Sequence, residues 1–157
     1  MTATVPTRRA DEITPKDEAE RLALSYFTLL MRRELDAFEQ LWHPEAVQEI
    51  PFKPEGFGNF VTDAFRGREE IMAHYRAAFA NRRDHVFWVD ALHRTTDPGT
   101  VIVEAHARSL VGETGKVYEN SYVCIFRAQD GHLVSLKEYV NPLAFMKAFA
   151  GGFDAHR

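Results

Sequence analysis

Four segments of alternating apolar and polar residues make up most of the second half of this chain. They are HVFWVDALHR, TVIVEAHARSLV, KVYENSYVCIFRA and HLVSLKEYV. The connections between them are short and carry turn residues: Asp97-Pro98-Gly99, a glycine-containing loop, and Asp130-Gly131. Alternation with tight turns predicts a four-stranded antiparallel meander, whose apolar face needs cover from other elements.

Helical patterns in the first half supply that cover. TPKDEAERLALSYFTLLMRREL predicts a helix with Thr14 as N-cap, Pro15 at the first helical position, and Asp17 and Glu18 in the first turn. ELDAFEQLWHPEA predicts a short second helix ended by Pro44, and RGREEIMAHYRAAFANRR a third helix. Between the last two, VQEIP predicts a short strand, and FKPEGFGNFVTDAF an irregular aromatic loop.

This order of elements predicts a single α+β domain over residues 14–157, with helices on one face of a curved, mostly antiparallel sheet. A short C-terminal helix is expected in NPLAFMKAFAGGF, with Asn141 as its cap and Pro142 as its first residue. Residues 1–13 are polar and show no periodicity, so they are predicted to form a flexible arm.

Charge and composition exclude several classes of function. The formal charge is -4 and the basic residues are scattered, so no nucleic-acid partner is predicted. No stretch approaches the ~20 apolar residues of a membrane span. The N-terminus lacks the apolar core of a signal peptide and Cys124 is the only cysteine, so a cytoplasmic location is expected. Cys124 lies in the apolar run SYVCIF and is predicted to be a small core residue.

The sequence contains none of the short motifs that hold a nucleotide or a catalytic nucleophile. GxGxxG, GxxxxGK[ST] and GxSxG are all missing, so no cofactor is predicted. The seven histidines include no pair at i, i+2 or i+4, so no metal site is predicted from local spacing. A ligand set assembled from distant strands stays open.

A single carboxylate, Glu138, interrupts the apolar side of the last strand. A two-residue turn at Asp130-Gly131 would place it opposite Val123, whereas a three-residue turn with a bulge would place it opposite Tyr122. The second register is preferred, because it gathers most of the apolar residues on one face: Asn120, Tyr122, Cys124 and Phe126 with Val134, Leu136, Glu138 and Val140.

Burial among apolar side chains disfavours the ionised form of Glu138, so we expect a raised pKa and a role as general acid and base. The alternative is a buried structural Glu that binds a helix end or a Tyr hydroxyl. Tyr122 and Asn120 are the expected hydrogen-bonding partners of a ligand beside Glu138.

Three ionisable residues, Glu104, His106 and Arg108, share one face of the second strand of the meander. If the following loop pairs Val111 with Val117, they face the same side as Glu138 and bind the ligand. A shift of one residue would turn them to the outside, and both placements stay open.

The chain contains twelve Phe and five Tyr, which indicates either a Phe-rich core or an aromatic-lined ligand cavity. For a cavity, the aromatic candidates are Tyr26, Trp42 and Phe57. The apolar strip of Val123, Ile125 and Tyr139 on the other sheet face suits the burial of a homodimer.

The order of helices, aromatic loop and meander ending in DGHLVSLKEYVNP resembles the NTF2-like superfamily, also called SnoaL-like or ketosteroid-isomerase-like, over Thr14 to Phe149. The resemblance implies a cone-shaped α+β barrel with a pocket between sheet and helices. Members of this superfamily include isomerases, cyclases, dehydratases, epoxide hydrolases and non-catalytic binders.

Within it, YENSYVCIF, GREEIMAHY, TDPGTVIVEAHAR and LKEYVN resemble the phenazine-biosynthesis A/B proteins, small dimeric acid/base catalysts acting on an aminocyclohexanone precursor. By that resemblance Glu138 matches the catalytic glutamate and His74 a pocket histidine. On its own, a lone histidine such as His74 is more often a satisfied core residue than a catalytic one. The chain departs from the family at Ala78, where a pocket Ser is expected, and around Phe38, where no pocket arginine appears.

Together these features predict a cofactor-independent isomerase, cyclase, dehydratase or condensing enzyme for a small apolar or aromatic metabolite. Glu138 would move the proton, and His74 would orient the substrate or relay a proton. A binding protein of the same fold that holds a ligand without chemistry is the alternative.

Overall fold

A computed structural model of the chain describes residues 7–52, 63–112 and 114–149. In this part of the chain there are four α-helices and seven strands. The helices are α1 (Glu18–Arg32), α2 (Leu35–Glu39), α3 (Arg68–Ala80) and α4 (Pro142–Phe149). The strands are β1 (Arg8–Arg9), β2 (Trp42–Glu49), β3 (Ala64–Arg66), β4 (Arg82–Arg94), β5 (Thr100–Val111), β6 (Val117–Gln129) and β7 (His132–Val140).

The strands form one curved, unclosed sheet in the order β1-β4-β5-β6-β7-β2-β3. The predicted meander β4 to β7 is present, and every strand pair is antiparallel except β2 with β7, which are parallel. Helix α1 packs across β4, β5, β6 and β7. The predicted α+β class, with helices over one face of a mostly antiparallel sheet, is therefore confirmed.

Helix α1 begins later than predicted. Its N-cap is Asp17, whose Oδ1 accepts the Glu20 backbone N–H at 2.9 Å, while Glu20 Oε2 accepts the Lys16 backbone N–H at 2.7 Å. This reciprocal pair satisfies backbone N–H groups at the start of the helix, so the helix is capped at Asp17, three residues downstream of the predicted cap. The predicted N-cap at Thr14 is wrong for that reason.

Pro44 does not end a helix. Helix α2 stops at Glu39, and Pro44 lies inside strand β2, which already begins at Trp42. The pairing of β2 with β7 is interrupted between Trp42 and Val47, so the missing N–H of the proline removes no ladder hydrogen bond.

The described part of the predicted N-terminal arm is docked, which corrects the expectation of a flexible segment there. Arg8 and Arg9 pair with Val89 and Trp88 of β4, and the Ala10 side chain is buried in the core. Residues 1–6 lie outside the described residues.

The hairpin between β6 and β7 differs from both predicted registers. Asp130 and Gly131 form the two-residue turn, both with positive φ (51° and 80°), as a type I′ turn requires. A bulge after Leu133 then shifts the ladder by one residue, so that Glu138 pairs with Cys124. Glu138 therefore lies on the predicted face, but opposite Cys124 instead of Tyr122.

The core lies between α1 and the sheet, and much of it is aromatic. Trp42, Phe27, Phe38, Phe79 and Phe126 are its largest fully buried side chains. Cys124 is buried there without a disulfide, as predicted. None of the helices in residues 7–52, 63–112 and 114–149 is long and apolar enough to cross a membrane.

Helix α4 closes the described chain. The Asn141 side-chain oxygen accepts the Leu143 backbone N–H at 3.0 Å, which confirms the predicted cap. Phe145 and Phe149 of this helix pack on Tyr118 of β6 and form a second, smaller aromatic cluster.

Candidate active site

A cavity of about 280 Å³ lies between the sheet and helices α1, α3 and α4. Its wall is mainly aromatic and aliphatic, with few polar or charged side chains. The side chains that line it and are used below are Tyr26, His74, Tyr75, Arg82, Tyr118, Tyr122, Cys124 and Glu138. A concave, mostly apolar space with a small number of polar groups is typical of a small-molecule site.

Glu138 is held by one of its two carboxylate oxygens. Its Oε2 accepts a hydrogen bond of 2.9 Å from Gln48 Nε2, and its Oε1 has no hydrogen-bond partner among the described residues. The Glu138 residue is only partly buried by accessible surface, because its side chain borders the cavity instead of packed protein. One oxygen is therefore fixed and the other is available to a ligand.

The environment of Glu138 sets its protonation. Burial away from bulk water raises its pKa from 4.5 to about 7, while the positive charge of Arg82 and the Gln48 hydrogen bond oppose that rise. Near neutral pH both the acid and the carboxylate are populated, which is the condition for a group that accepts and returns a proton.

Gln48 connects Glu138 to two buried tyrosines. Tyr75 Oη donates to Gln48 Oε1 at 2.9 Å, and the two hydroxyls of Tyr75 and Tyr26 are 2.6 Å apart. Because the Tyr75 proton is committed to Gln48, Tyr26 donates to Tyr75. The Gln48 amide N–H is thereby left to face Glu138, the orientation that an ionised carboxylate needs.

His74 lies on the cavity wall in a neutral form. Its ring stacks on Phe65 with centroids 4.3 Å apart and makes an edge contact with Tyr75. Burial and, to a smaller extent, the charge of Arg82 lower its pKa to about 4. The expectation that His74 is a second group titrating near neutral pH is wrong, although a neutral imidazole still offers one donor and one acceptor.

Arg82 brings a positive charge to this wall at the start of β4. Its guanidinium carbon lies 5.2 Å from the Tyr118 ring centroid, 5.3 Å from that of Phe149 and 5.7 Å from that of Phe79. Its Nε is buried and has no hydrogen-bond partner among the described residues. Rings on several sides stabilise the cation without providing an acceptor for the Nε–H group.

Tyr122 and Asn120 differ in what they can offer a ligand. Tyr122 lines the cavity, and its hydroxyl is 3.5 Å from that of Tyr118. The Asn120 amide is used within the protein: it donates to the Tyr118 hydroxyl and the Asn141 carbonyl, and its oxygen accepts from the backbone of Asn141. The predicted ligand-binding role of Asn120 is replaced by anchoring of the β7 to α4 connection.

The sequence matches the family model of the SnoaL-like domain over residues 23–136. The chain belongs to the SnoaL-like domain family. This agrees with the resemblance drawn from the sequence and with the NTF2-like architecture of the sheet and helices.

Three similar proteins show the range of this SnoaL-like fold. An uncharacterised PhzA/B-like protein of Pseudomonas aeruginosa is 29% identical over 133 residues, which cover 85% of this chain and 91% of that relative. The crystal structure of a candidate isomerase from Bacillus subtilis matches with a TM-score of 0.72 at 26% identity, covering 87% of this chain and 95% of the other. A computationally designed binder of 17-OHP matches with a TM-score of 0.70 at 16% identity, covering 80% and 95%, which shows the shared fold alone.

Several predicted ligand contacts lie elsewhere in this SnoaL-like domain. Leu110, not Val111, pairs with Val117, so Glu104, His106 and Arg108 face outward. There they pair with His93, Asp90 and Glu119, respectively. Of the two placements that the sequence left open, the structure has the outward one, because the strand pairing is shifted by one residue from Val111–Val117.

The aromatic candidates also separate. Tyr26 lines the cavity as predicted, whereas Trp42 is fully buried in the core against Tyr26 and Phe38 and is not among the residues that line the cavity. Phe57 lies outside the described residues.

Three polar residues of this site were not found from the sequence. Gln48 lies within the predicted strand VQEIP, and Tyr75 and Arg82 lie within the segment RGREEIMAHYRAAFANRR of the predicted third helix. A polar Gln in the short strand VQEIP was the available signal for Gln48. No group of three or more His, Cys, Asp or Glu side chains placed to hold a metal occurs in residues 7–52, 63–112 and 114–149.

Proposed function

We propose that this SnoaL-like domain is a cofactor-independent acid/base catalyst of the isomerase, cyclase, dehydratase or condensation type. Its substrate is a small, largely apolar or aromatic metabolite. The observation that carries the proposal is the position of Glu138: the residue lines the cavity, one oxygen is held by Gln48 while the other has no hydrogen-bond partner among the described residues, and burial raises its pKa to about 7.

The proton moves through Glu138 Oε1 in this proposal. The ionised carboxylate removes a proton from a carbon or oxygen of the bound substrate, and the resulting acid returns it to a second position. Gln48 holds the carboxylate in place through Oε2 in the ionised state. An apolar cavity keeps bulk water from competing for the proton.

His74, Tyr122 and Tyr26 shape the rest of the site. His74 orients the substrate as a neutral donor or acceptor, since it does not gain a proton near neutral pH. Burial raises the pKa of the Tyr122 and Tyr26 hydroxyls well above 10, so neither is a phenolate. Tyr122 can donate to the substrate, whereas the Tyr26 proton is committed to Tyr75 and Tyr26 contributes its ring to the wall.

Hydrogen exchange tests the chemistry without knowledge of the natural substrate. Small cyclic and aromatic ketones such as cyclohexanone, 2-indanone and acetophenone are incubated with the protein in D₂O, and loss of the α-proton signal is followed by NMR. The wild type should accelerate exchange of at least one of them, and Glu138→Gln should lower that rate by about 10²- to 10⁴-fold.

The exposed carboxylate of Glu119 offers the matched control. Glu119→Gln should exchange at the wild-type rate. A folded Glu138→Gln protein that keeps the wild-type rate would remove Glu138 from the proposed mechanism.

The second candidate function is ligand binding without catalysis. It is favoured by the low pKa of His74, which leaves Glu138 without a second titrating partner near neutral pH, and by the Gln48 hydrogen bond on one of its oxygens. It is distinguished by a ligand that remains bound through purification and is recovered unchanged, while no ketone exchanges faster in the presence of the protein.

We also propose a homodimer formed through the outer sheet face. Val123 of β6 pairs with Tyr139 of β7, and Ile125 lies beside them on the same face. Val123 is 38% exposed although it is large and apolar. A second copy of the chain would cover this strip.

A further inference from the structure

The positive charge of Arg82 has no counter-charge beside it. Among the described residues Arg82 forms no ion pair, and its buried Nε has no acceptor. Glu138 influences it only at longer range, as a charge across the cavity. Arg82 as a whole is half-buried, but its Nε–H is buried without an acceptor, which is costly because this group gives up water and receives no oxygen in return.

The aromatic rings around Arg82 explain how the charge is tolerated but not how it is used. Tyr118, Phe149 and Phe79 approach the guanidinium at 5.2, 5.3 and 5.7 Å. Such contacts offset part of the desolvation cost, and they do not accept hydrogen bonds in the plane of the guanidinium. That planar edge is the part of arginine that matches a carboxylate.

The other titratable groups that face this cavity are neutral around pH 7, except Glu138. Burial lowers the pKa of His74 to about 4 and that of the nearby His85 to about 3, and it raises the pKa of the tyrosines and of Cys124. The groups that face Glu138 and Arg82 from the surrounding elements are Tyr26, His74, Tyr75, His85, Tyr118, Tyr122 and Cys124. With Glu138 protonated, the described wall therefore carries a net charge of one positive unit.

We propose that Arg82 is the binding subsite for the carboxylate of a monoanionic substrate, and that Glu138 takes up a proton as this anion binds. The substrate class is then a monocarboxylic acid whose apolar or aromatic body fills the cavity beside Glu138. The inference deepens the acid/base function proposed above and rests on it only for what happens after binding.

Proton uptake follows from electrostatics inside the cavity. A bound carboxylate adds a second negative charge to a space of low dielectric constant, which favours the protonated form of Glu138. Above pH 7 the ionised Glu138 opposes the incoming anion. Affinity for the anion therefore falls as pH rises from 6 to 8, by roughly fivefold if the pKa of Glu138 rises by one unit on binding and by more if it rises further.

Benzoate and its neutral isostere benzamide are suitable probes, since they differ in charge and hardly in shape. Isothermal titration calorimetry measures both dissociation constants in the wild type and in Arg82→Gln, Arg82→Lys and Arg83→Gln. Arg83 is the exposed neighbour and serves as the matched control. Repeating the benzoate titration in buffers of different ionisation enthalpy counts the protons taken up.

The wild type and Arg83→Gln should prefer benzoate over benzamide by about tenfold or more, as expected for a charged hydrogen bond. Arg82→Gln should bind the two about equally, and Arg82→Lys should keep part of the preference. Glu138→Gln should retain the preference for benzoate but lose its pH dependence and its proton uptake.

Equal binding of benzoate and benzamide by the wild type, a preference that survives in Arg82→Gln, or no benzoate binding at millimolar concentration would each overturn the subsite. Thermal unfolding confirms that each variant is folded. The test is independent of turnover: loss of the preference in Arg82→Gln with unchanged ketone exchange in Glu138→Gln keeps the subsite and rejects the catalytic proposal, and the reverse pair of results rejects only the subsite.

Discussion

Gln48 and Glu138, ninety positions apart, are joined by a hydrogen bond of 2.9 Å between Gln48 Nε2 and Glu138 Oε2. The parallel pairing of β2 with β7, in which Gln48 lies opposite Leu136, brings them together. Since Gln48 also accepts from Tyr75, its amide cannot turn away without breaking a second buried hydrogen bond. Gln48 therefore holds the Glu138 carboxylate, and Tyr75 holds Gln48 in turn.

Replacing Gln48 by Met should raise the pKa of Glu138 above 7. The amide hydrogen bond stabilises the ionised carboxylate, and methionine removes it while nearly preserving volume. Difference infrared spectroscopy of the carboxyl band against pH measures the shift. The exposed Gln129→Met is the control, and an unchanged or lower pKa in Gln48→Met would show that the bond does not act on Glu138.

Glu138→Gln should make the protein more stable relative to the wild type at pH 8 than at pH 5. The folded pKa of about 7 lies above the ordinary 4.5, so the folded protein binds the proton more tightly, and wild-type stability falls as pH rises from 4.5 to 7. The full loss is up to about 3 kcal/mol, and the variant avoids it. Urea unfolding at both pH values measures the difference, with Glu119→Gln as control; a pH-independent difference argues against a raised pKa.

The two hydroxyls at the end of the hydrogen-bond chain should differ in their contribution to stability. Tyr75→Phe leaves both the Gln48 oxygen and the Tyr26 hydroxyl without their partner and should cost about 1 to 3 kcal/mol. Tyr26→Phe removes only a donor to Tyr75 and should cost less. Urea unfolding compares them, and Tyr139→Phe, whose ring packs on Phe52 near the surface, is the control. The opposite order would contradict the donor directions assigned to the chain.

Val123→Glu should separate the proposed dimer. The substitution places a charge in the middle of the outer apolar strip, where a second copy of the chain would bury it away from water. Light scattering coupled to size exclusion should give twice the chain mass for the wild type and the chain mass for the variant. A wild type that elutes as a monomer at micromolar concentration would contradict the dimer.

The face of Glu138 could be predicted from the sequence although its cross-strand partner could not. Side-chain direction alternates with a period of two, so the predicted partner Tyr122 and the observed partner Cys124 lie on the same face. No residue pattern in HLVSLKEYV indicates the bulge that follows the hairpin turn. For His106 the same one-residue uncertainty decided the face. Leu110, and not Val111, pairs with Val117 across the loop before β6, and this shift turns His106 outward.

Gln48 and Arg82 could not be assigned for a different reason. Their place at the site depends on contacts between segments far apart in the sequence: the parallel β2–β7 pair for Gln48, and helix α4 together with β6 for Arg82. Local propensity and periodicity carry no information on such pairings. For Gln48 the sequence offers one local sign, which is a polar residue inside the short strand VQEIP.

The pKa of Glu138 tests the central claim most directly, and its measurement requires no substrate. Carbon-13 labelling of the glutamate carboxyls, with Glu138→Gln to assign the resonance, allows titration of this single group by NMR in the folded protein. A midpoint of about 7 is predicted, since burial beside the cavity outweighs the opposing effects of Arg82 and Gln48. A midpoint near 4.5, the ordinary value for a glutamate, would contradict a proton-transfer role for Glu138 at neutral pH.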